Sequence, residues 1–257
     1  MKQIEEILKD FATIALNQMD KVKLLNRVDK KFCFNISKLP EILNLIKNDY
    51  QILVVENQKI NRYQTLYYDT PDLKYYLQHH NGKLNRYKIR HRTYKENNLG
   101  YFEVKFKSNK DRTVKKRIKD SGNPERLNDT RQNFLTEKSK INPLYLYPTI
   151  WVNFSRITLV SCTQPERLTL DLNLEYLKNS NKVCLDRLVI AEVKQEKKQK
   201  SQFIEIMKKN HISEGSLSKY AMGIALTVPN VKKNNFKEKL SSTLKKINDN
   251  EYNITGN

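Results

Sequence analysis

The residues from Arg86 to Lys107 form two runs, RYKIRHRTY and YFEVKFK, joined by the linker KENNLG. Asn97, Asn98 and Gly100 in and beside this linker are typical turn residues, so the runs are predicted to pair as an antiparallel hairpin. Alternate side chains of a strand share one face. The face of interest then carries one carboxylate among many cations: Arg86, Lys88, Arg90, Arg92, Glu103, Lys105 and Lys107.

This cationic face has two interpretations. Lys and Arg usually lie on the solvated outside of a fold, and that is the default. Like charges on neighbouring strands destabilise a sheet, however, unless an anion lies between them. The second interpretation is therefore a binding surface for a multiply charged anion.

Several other segments also alternate an apolar face with a face that carries ionisable groups. The polar sets are Arg27/Asp29/Lys31, Thr113/Lys115/Arg117, Arg156/Thr158, Arg167/Asp171/Glu175 and Glu192/Lys194. If these faces point outward, the protein is a barrel with an ordinary apolar core. If they point inward, the barrel is a polar tunnel wrapped by helices. The amphipathic helices favour the tunnel, since each needs an apolar sheet surface to cover.

A tunnel lined by Lys and Arg suits a linear phosphate anion, because each phosphoryl group accepts charge-assisted hydrogen bonds from several cations. Carboxylates among those cations are candidate ligands for Mg²⁺ or Mn²⁺, which bridge phosphate oxygens. Glu103 and Glu192, each two residues before a lysine, are the natural candidates. The alternative for both is an ion pair with a lysine on a neighbouring strand.

Composition limits the class of partner without choosing one. The 257 residues include 30% charged and 38% hydrophobic residues, and the formal net charge is +20. Such a charge favours nucleic acid, an anionic membrane or a phosphate-rich small molecule. No apolar run approaches the roughly 20 residues that span a bilayer, and the N-terminus does not resemble a signal peptide. Cys33, Cys162 and Cys184 form no metal or redox motif. We therefore expect a cytoplasmic protein with reduced cysteines.

The pattern of elements predicts an α+β fold. Strands are expected at 24–34, 59–70, 86–94, 101–107, 111–118, 149–160, 167–177 and 187–196. Helices are expected at 2–18, 37–48, 71–80, 197–209 and 216–226, with residues Ile42, Leu43, Leu45 and Ile46 of the second helix buried and a cap for the last near Ser216. Because strands and helices do not alternate, a parallel sheet is disfavoured. An eight-stranded antiparallel barrel with a polar, cationic interior and flanking helices fits best.

Residues 1–228 are predicted to form this domain, and residues 229–257 a basic Lys/Asn-rich tail. In the tail, Phe236, Leu240, Leu244 and Ile247 are spaced as an amphipathic helix. Such a helix can dock on the domain, make weak contact with an anionic surface, or fray. A mobile tail is the expectation.

Several motifs resemble the VTC domain, the polyphosphate polymerase domain of the triphosphate tunnel metalloenzyme (CYTH-like) superfamily. They occur in the family's order over residues 20–226. The matching pieces are RVDKKF (27–32), YYDT (67–70), KIRHRTY (88–94), FEVKFK (102–107), the Arg156 strand, RLTLDLNL (167–174), AEVK (191–194) and LSKYAMG (217–223).

The resemblance implies an eight-stranded tunnel that binds ATP, Mn²⁺ or Mg²⁺ and polyphosphate, and transfers the γ-phosphoryl group of ATP onto the growing chain. The implied catalytic cations are Lys31, Arg90, Arg92, Lys105, Arg156, Lys194 and Lys219. The implied extension of the cationic wall is Lys88, Lys107, Lys115 and Arg117. The implied metal ligand is Glu192, assisted by Glu103 and Asp171.

One departure bears on the activity. The superfamily's hydrolases have Glu-x-Glu-x-Lys near the N-terminus, where this chain has Arg27-Val28-Asp29-Lys30-Lys31. This weakens a two-carboxylate metal site there and favours a polymerase. A triphosphate hydrolase and a non-enzymatic module that binds polyphosphate or nucleic acid remain alternatives, although no specific nucleic acid is expected. The family's eukaryotic members carry membrane segments that have no counterpart in these 257 residues, so we expect any coupling to transport to need a membrane partner protein.

Overall fold

A computed structural model describes residues 1–21, 27–110, 113–196, 199–215 and 218–247. Its helices are α1 (Lys2–Lys9), α2 (Leu39–Ile46), α3 (Lys74–His80), α4 (Asp129–Lys138), α5 (Gln202–Lys209), α6 (Lys219–Thr227) and α7 (Asn234–Ile247). Its strands are β1 (Thr13–Ala15), β2 (Arg27–Asn35), β3 (Tyr50–Val54), β4 (Ile60–Asp69), β5 (Arg86–Tyr94), β6 (Leu99–Lys107), β7 (Thr113–Lys119), β8 (Tyr147–Ser161), β9 (Glu166–Lys178), β10 (Asn181–Leu185) and β11 (Leu188–Glu196).

Eight strands form one antiparallel path in the order β2-β11-β9-β8-β4-β5-β6-β7. These are the eight predicted strands, and they confirm the predicted fold class. Strands β1, β3 and β10 extend the sheet beside β8 and β9. Within the described ranges, no strand pairing joins the end strands β2 and β7, so the hydrogen-bonded path itself stays open.

The sheet curves strongly, which gives it an inner face. Four strands separate β2 from β5 along the path. Even so, Lys31 on β2 lies close enough to Lys88 on β5 for its charge to help lower the pKa of Lys88, after the larger effects of burial, Arg86 and Arg90. The charged faces of β2 and β5 therefore point toward each other across the curved sheet.

The outer, apolar face of the sheet packs under helices. Leucines on alternate positions of β9, namely Leu168, Leu170 and Leu172, lie in one core cluster with α1, α2 and α5. A second cluster places Phe102 and Val104 of β6 against α4. This burial of alternate residues on long strands is the pattern that the sequence predicts, and it fixes which face turns inward.

One end of the inner face is apolar and is filled by α6. Its Gly223 lies so close to the sheet that a Cβ atom there would sit 2.5 Å from Tyr176 Cδ1. The helix is also tied to β4, because the hydroxyl of Tyr220 donates to the buried Asp69. Asp69 also accepts from the backbone N–H groups of Tyr75 and Tyr76 at the start of α3. Asp69 of the YYDT motif and Tyr220 of the LSKYAMG motif therefore belong to one buried hydrogen-bond network that holds α6 and α3 to β4.

The N-terminal prediction of a helix over 2–18 is wrong beyond Lys9. Helix α1 ends there, and Thr13–Ala15 instead forms a short strand parallel to β3. Residues Thr13 and Ile14 are β-branched and fit a strand better than a helix. Strand β3 has no counterpart among the predicted strands, because its residues YQILV do not alternate between apolar and polar types.

Two local predictions also need correction. Leu45 of α2 is 49% exposed, while Ile42, Leu43 and Ile46 are buried as predicted. The cap of α6 is Ser218, whose hydroxyl accepts from the Ala221 N–H, and Ser216 lies outside the described residues. Residues 24–26 of the first predicted strand and 111–112 of the fifth also lie outside them.

The prediction of a mobile tail is wrong for residues 234–247. Helix α7 forms there, and Phe236, Leu240, Leu244 and Ile247 pack into the same cluster as α6. Its N-terminal end is bound to α3, since the N–H of Asn235 donates to His80 Nε2 at 3.1 Å. Docking on the domain, one of the three open alternatives, is what the structure shows. Residues 248–257 lie outside the described part of the chain.

Candidate functional site

The first ion network of the inner face belongs to the β5–β6–β7 wall. Arg90 and Glu103 are direct partners in the hairpin, and Arg90 Nε donates to Glu103 Oε2 at 2.6 Å. Lys115 of β7 pairs with the other carboxylate oxygen. Burial alone would raise the pKa of Glu103, but the charges of Arg90, Arg92 and Lys115 lower it to about 2. Glu103 is thus a carboxylate enclosed between cations.

The second network joins the β8–β9 wall to α6. Arg156 binds Asp171 through two parallel hydrogen bonds, Nε to Oδ1 at 2.5 Å and Nη2 to Oδ2 at 2.8 Å. Lys219 Nζ, at the start of α6, lies 2.5 Å from Oδ2. Asp171 is only 2% exposed. Burial opposes its ionisation, but Arg156 and Lys219 outweigh burial and lower its pKa to about 2.

The third network lies on β2 and β11, where Lys31 and Glu192 are direct partners. Lys31 Nζ is 3.0 Å from Glu192 Oε1, and Lys194 pairs with Oε2. Burial would raise the pKa of Glu192, yet Lys194 and Lys31 lower it well below its usual range. The carboxylate side chain is 19% exposed, compared with 1–2% for Glu103 and Asp171.

Two stacked aromatic rings underlie the cations between these networks. Tyr63 of β4 and Phe154 of β8 stack with centroids 5.0 Å apart and planes 8° apart. The guanidinium of Arg92 lies 5.3 Å from the Tyr63 centroid, that of Arg156 lies 5.0 Å from it, and Lys219 Nζ lies 5.0 Å from the Phe154 centroid. Such contacts hold cations without neutralising them. The sequence prediction missed this pair, although Phe154 lies two residues from Arg156 and therefore on the same face of its strand.

Lys88 and Lys105 make no ion pair with a carboxylate within the described ranges. Lys88 Nζ donates to Ser218 Oγ at 2.9 Å. Burial, followed by the charges of neighbouring cations, lowers the pKa of Lys88 to about 7. The charge of Arg90, followed by burial, lowers that of Lys105 to about 6. Even when Lys88 and Lys105 are uncharged, the other cations of the inner face outnumber its three carboxylates.

The structure therefore brings most of the predicted site residues together on one inner face. Arg90, Arg92, Lys105, Lys115, Arg156, Lys194, Lys219, Lys31 and Lys88 all belong to it, with Glu103, Asp171 and Glu192 between them. Two predicted residues lie at its ends. Lys107 is half-buried near Lys88, and Arg117 is exposed, with its guanidinium 4.5 Å from the Tyr101 centroid.

The lowered pKa values of Lys88 and Lys105 predict that binding of a phosphate anion takes up protons. Near pH 7.5 both amines are largely neutral in the empty protein, and a bound polyanion favours their charged forms. The affinity for tripolyphosphate should rise as pH falls from about 8 to about 6, since less free energy is then spent on protonation. Calorimetric titration in two buffers of different protonation enthalpy measures the uptake.

The matched control is Lys105→Arg, because arginine stays protonated in a protein. This variant should take up about one proton fewer than the unaltered protein at pH 7.5. The ligand's own protonation is the same in both titrations, so the difference belongs to residue 105. Equal proton uptake by the two proteins would show that Lys105 is already charged.

Of the three inner carboxylates, Glu192 is the best placed to bind a divalent metal. Within the described residues, no three Asp, Glu, His or Cys side chains lie together as a ready-made metal site. Glu103 and Asp171 are almost fully buried and already enclosed by cations. Glu192 is the most exposed of the three. Mg²⁺ in nucleotide sites needs only one or two carboxylates, since phosphates and water complete its shell.

A curved antiparallel sheet whose inner face carries a wall of Lys and Arg side chains is the fold of the triphosphate tunnel (CYTH-like) class. The chain belongs to the VTC domain family, whose model matches residues 26–228. Helix α7 lies beyond the matched residues. No curated protein gives a match to the sequence.

Solved structures with a similar fold include a protein from Vibrio parahaemolyticus named as a candidate adenylate cyclase. It is 14% identical, with a TM-score of 0.46, and the match covers 77% of this chain and 98% of that one. A candidate adenylyl cyclase from Hippeastrum, described as having a dominant triphosphatase activity, is 11% identical with a TM-score of 0.48, over 79% of this chain and 98% of that one. At such identities and TM-scores, neither likeness says anything about the activity of this chain.

None of the helices in the described ranges is both long enough and apolar enough to cross a membrane. Cys33, Cys162 and Cys184 are free thiols. The cytoplasmic location stays a prediction.

Proposed function

We propose that this protein is an ATP-dependent polyphosphate polymerase, which transfers the γ-phosphoryl group of ATP onto the end of a polyphosphate chain. The observation that carries the proposal is the surplus of cations on the inner face. Each of its three carboxylates already pairs with two cations. Arg92, Lys88 and Lys105 remain without a carboxylate partner in the described part of the chain. A row of phosphoryl groups supplies the missing negative charge.

The inner residues act by position and charge. The terminal oxygen of the chain attacks the γ-phosphorus, the bond from that phosphorus to the β–γ bridging oxygen breaks, and ADP leaves with the bonding electrons. Arg90 and Arg92 lie on β5 and Arg156 lies on β8, and together they can hold successive phosphoryl groups in line. Lys105 and Lys219 neutralise the charge that develops on the transferred group and on the leaving oxygen.

Glu103 and Asp171 have a supporting role in this proposal. Their carboxylates fix the directions of Arg90 and of Arg156 and Lys219 before any ligand enters. Such preorganisation means that the cations need little rearrangement when phosphate binds. The sequence-based prediction that these two carboxylates assist a metal is less well supported than this anchoring role.

Members of the wider tunnel class use divalent metal ions, and Glu192 is the residue that would hold one here. Bound Mn²⁺ or Mg²⁺ would polarise the phosphoryl oxygens and neutralise part of their charge. Lys31 and Lys194 flank the carboxylate and would contact the same phosphates. Asp29, the shortened second carboxylate of the hydrolase motif, is exposed.

A polymerase is favoured over a triphosphate hydrolase by the shortage of carboxylates. A hydrolase must position and deprotonate a water molecule, usually beside paired carboxylates and metal ions. The inner carboxylates of the described residues are single and enclosed by cations. The hydrolase nevertheless remains the rival enzyme on this fold.

The test is incubation of the purified protein with ATP and Mn²⁺, followed by gel analysis of the products. Long-chain polyphosphate together with ADP supports the polymerase. Inorganic phosphate with ADP, and no polymer, supports the hydrolase. If neither forms, a binding module remains, and its site is located by comparing Arg90→Ala plus Arg92→Ala with substitution of the exposed Lys237 and Lys245 on α7. Deleting residues 230–257 is unsuitable because α7 is part of the core.

Glu192→Gln tests the metal role. The amide keeps the shape of the side chain but binds a divalent cation poorly, so the reaction should need a higher Mn²⁺ concentration and run at least about tenfold slower at limiting metal. Binding of tripolyphosphate without metal should be retained, because Lys31 and Lys194 stay in place. Unchanged Mn²⁺ dependence in this variant would assign the metal to another residue.

A further inference from the structure

The two ends of the β5–β6 hairpin differ in chemistry on the inner face. At the end where the hairpin turns, the inner positions are Tyr94 and Tyr101. At the opposite end the corresponding positions are Arg86 and Lys107, which are direct partners. One end of the tunnel wall is therefore aromatic and the other is cationic.

The aromatic end is an extended wall. The ring of Tyr94 contacts Tyr63 with centroids 5.0 Å apart, and it meets Tyr101 edge to face at 6.0 Å. The guanidinium of Arg117 lies over the Tyr101 ring at 4.5 Å. Tyr94 and Tyr101 are half-buried and Arg117 is exposed, so the group is reachable from solvent. Aromatic faces and guanidinium planes are the surfaces on which unpaired bases stack.

The position of this wall matches the geometry of a nucleotide. Tyr101 is the direct cross-strand partner of Arg92, and Tyr94 follows Arg92 by two residues. Two residues of a strand span about 7 Å, a gap of the size of one sugar. A phosphoryl group bound by Arg92 therefore leaves the attached nucleoside beside Tyr94 and Tyr101.

The cationic end is supplemented from α7. Lys239 of that helix, with Arg86, Lys88 and Lys107, lies near His79 of α3. Burial first, and these cations next, lower the pKa of His79 to about 3, so the imidazole stays neutral. Positive charge therefore accumulates at the Arg86–Lys107 end of the hairpin, opposite the aromatic wall. Such charge attracts a chain of phosphates.

We infer that Tyr94, Tyr101 and Arg117 form a binding platform for the nucleobase of the triphosphate substrate, while the phosphate chain extends toward Arg86 and Lys107. This inference rests on the proposed function and adds a direction to it. The nucleotide enters from the aromatic end, and the polymer occupies the cationic end. Stacking, which every base accepts, makes the platform tolerant of base identity.

The test compares ATP with inorganic tripolyphosphate, which has the phosphates without the nucleoside. Affinities are measured by calorimetry without divalent metal, so that no turnover occurs. In Tyr101→Leu the affinity for ATP should fall about tenfold, the order expected for one base–aromatic stack, and the affinity for tripolyphosphate should stay the same. Tyr145→Leu, at a tyrosine that is 64% exposed, is the matched control and should change neither.

A second variant, Arg117→Lys, keeps the test informative if Tyr101→Leu does not fold. This substitution keeps the positive charge and removes the planar guanidinium. It should also lower the affinity for ATP more than the affinity for tripolyphosphate. Equal weakening of both ligands, or unchanged ATP binding in both variants, overturns the platform. If tripolyphosphate fails to bind the unaltered protein, it is the proposed function that fails.

Discussion

Asp171→Ala should lower the free energy of unfolding by about 3–5 kcal/mol, because it leaves buried cations without their counter-charge. Arg156 and Lys219 are 16% and 17% exposed, and both are paired with this carboxylate. The measurement is chemical denaturation without phosphate. Since the pKa of Asp171 is about 2 when folded and the ordinary value is 3.8, its contribution is complete above about pH 4 and is lost as pH falls through 2.

Glu175→Ala is the control on the same strand. Glu175 pairs with Lys182, whose side chain is 57% exposed, so this change should cost less than about 1 kcal/mol. Tripolyphosphate should raise the melting temperature of Asp171→Ala more than that of the unaltered protein, because its oxygens replace the missing carboxylate. Equal stabilities for the two variants would contradict the role of Asp171 as the anchor.

Arg92→Met should reduce kcat for polyphosphate synthesis by about 10²–10³, the usual loss for one preorganised electrostatic contact. Arg92 is 8% exposed and makes its hydrogen bond to Thr65 Oγ1 at 3.4 Å. It has no carboxylate partner among the described residues, so its loss leaves no buried anion behind. Stability should therefore change little, in contrast to Asp171→Ala.

The control for Arg92 is Arg62→Ala on the neighbouring strand. Arg62 is 69% exposed and pairs with Glu96 at the end of the hairpin, so synthesis should continue at the unaltered rate. The affinity for tripolyphosphate gives a second readout for Arg92→Met and should fall with kcat. Full activity in Arg92→Met would remove Arg92 from the phosphate site.

Much of the site follows from hairpin register, which the sequence predicts well. The pairing of Tyr94 with Leu99 across a tight turn places Arg90 opposite Glu103. In the same way, the turn after Ser161 places Arg156 opposite Asp171. The choice between a metal ligand and an ion pair was open for each carboxylate, because both need the same oxygen anion. Each carboxylate pairs with two cations, and only the folded structure shows that Glu192 is more exposed than Glu103 and Asp171.

Contacts between distant elements could not be predicted. Helical spacing shows that α7 has an apolar face but not that Phe236 packs 5.1 Å from the ring of His80. The ion pair between Lys219 and Asp171 could not be predicted either, because it forms only when α6 packs inside the curved sheet. Tyr63 and Phe154 stack because they are direct partners between β4 and β8, and the sequence alone does not show which distant strands pair.

The most direct test is a crystal structure of the protein with tripolyphosphate and Mn²⁺. Phosphate oxygens are expected within about 2.7–2.9 Å of nitrogen atoms of Arg90, Arg92 and Arg156, on the inner face of the curved sheet, with the metal at Glu192. An anion bound only to lysines on the outside of the protein, with the inner ion pairs undisturbed, would contradict an inward-facing phosphate tunnel.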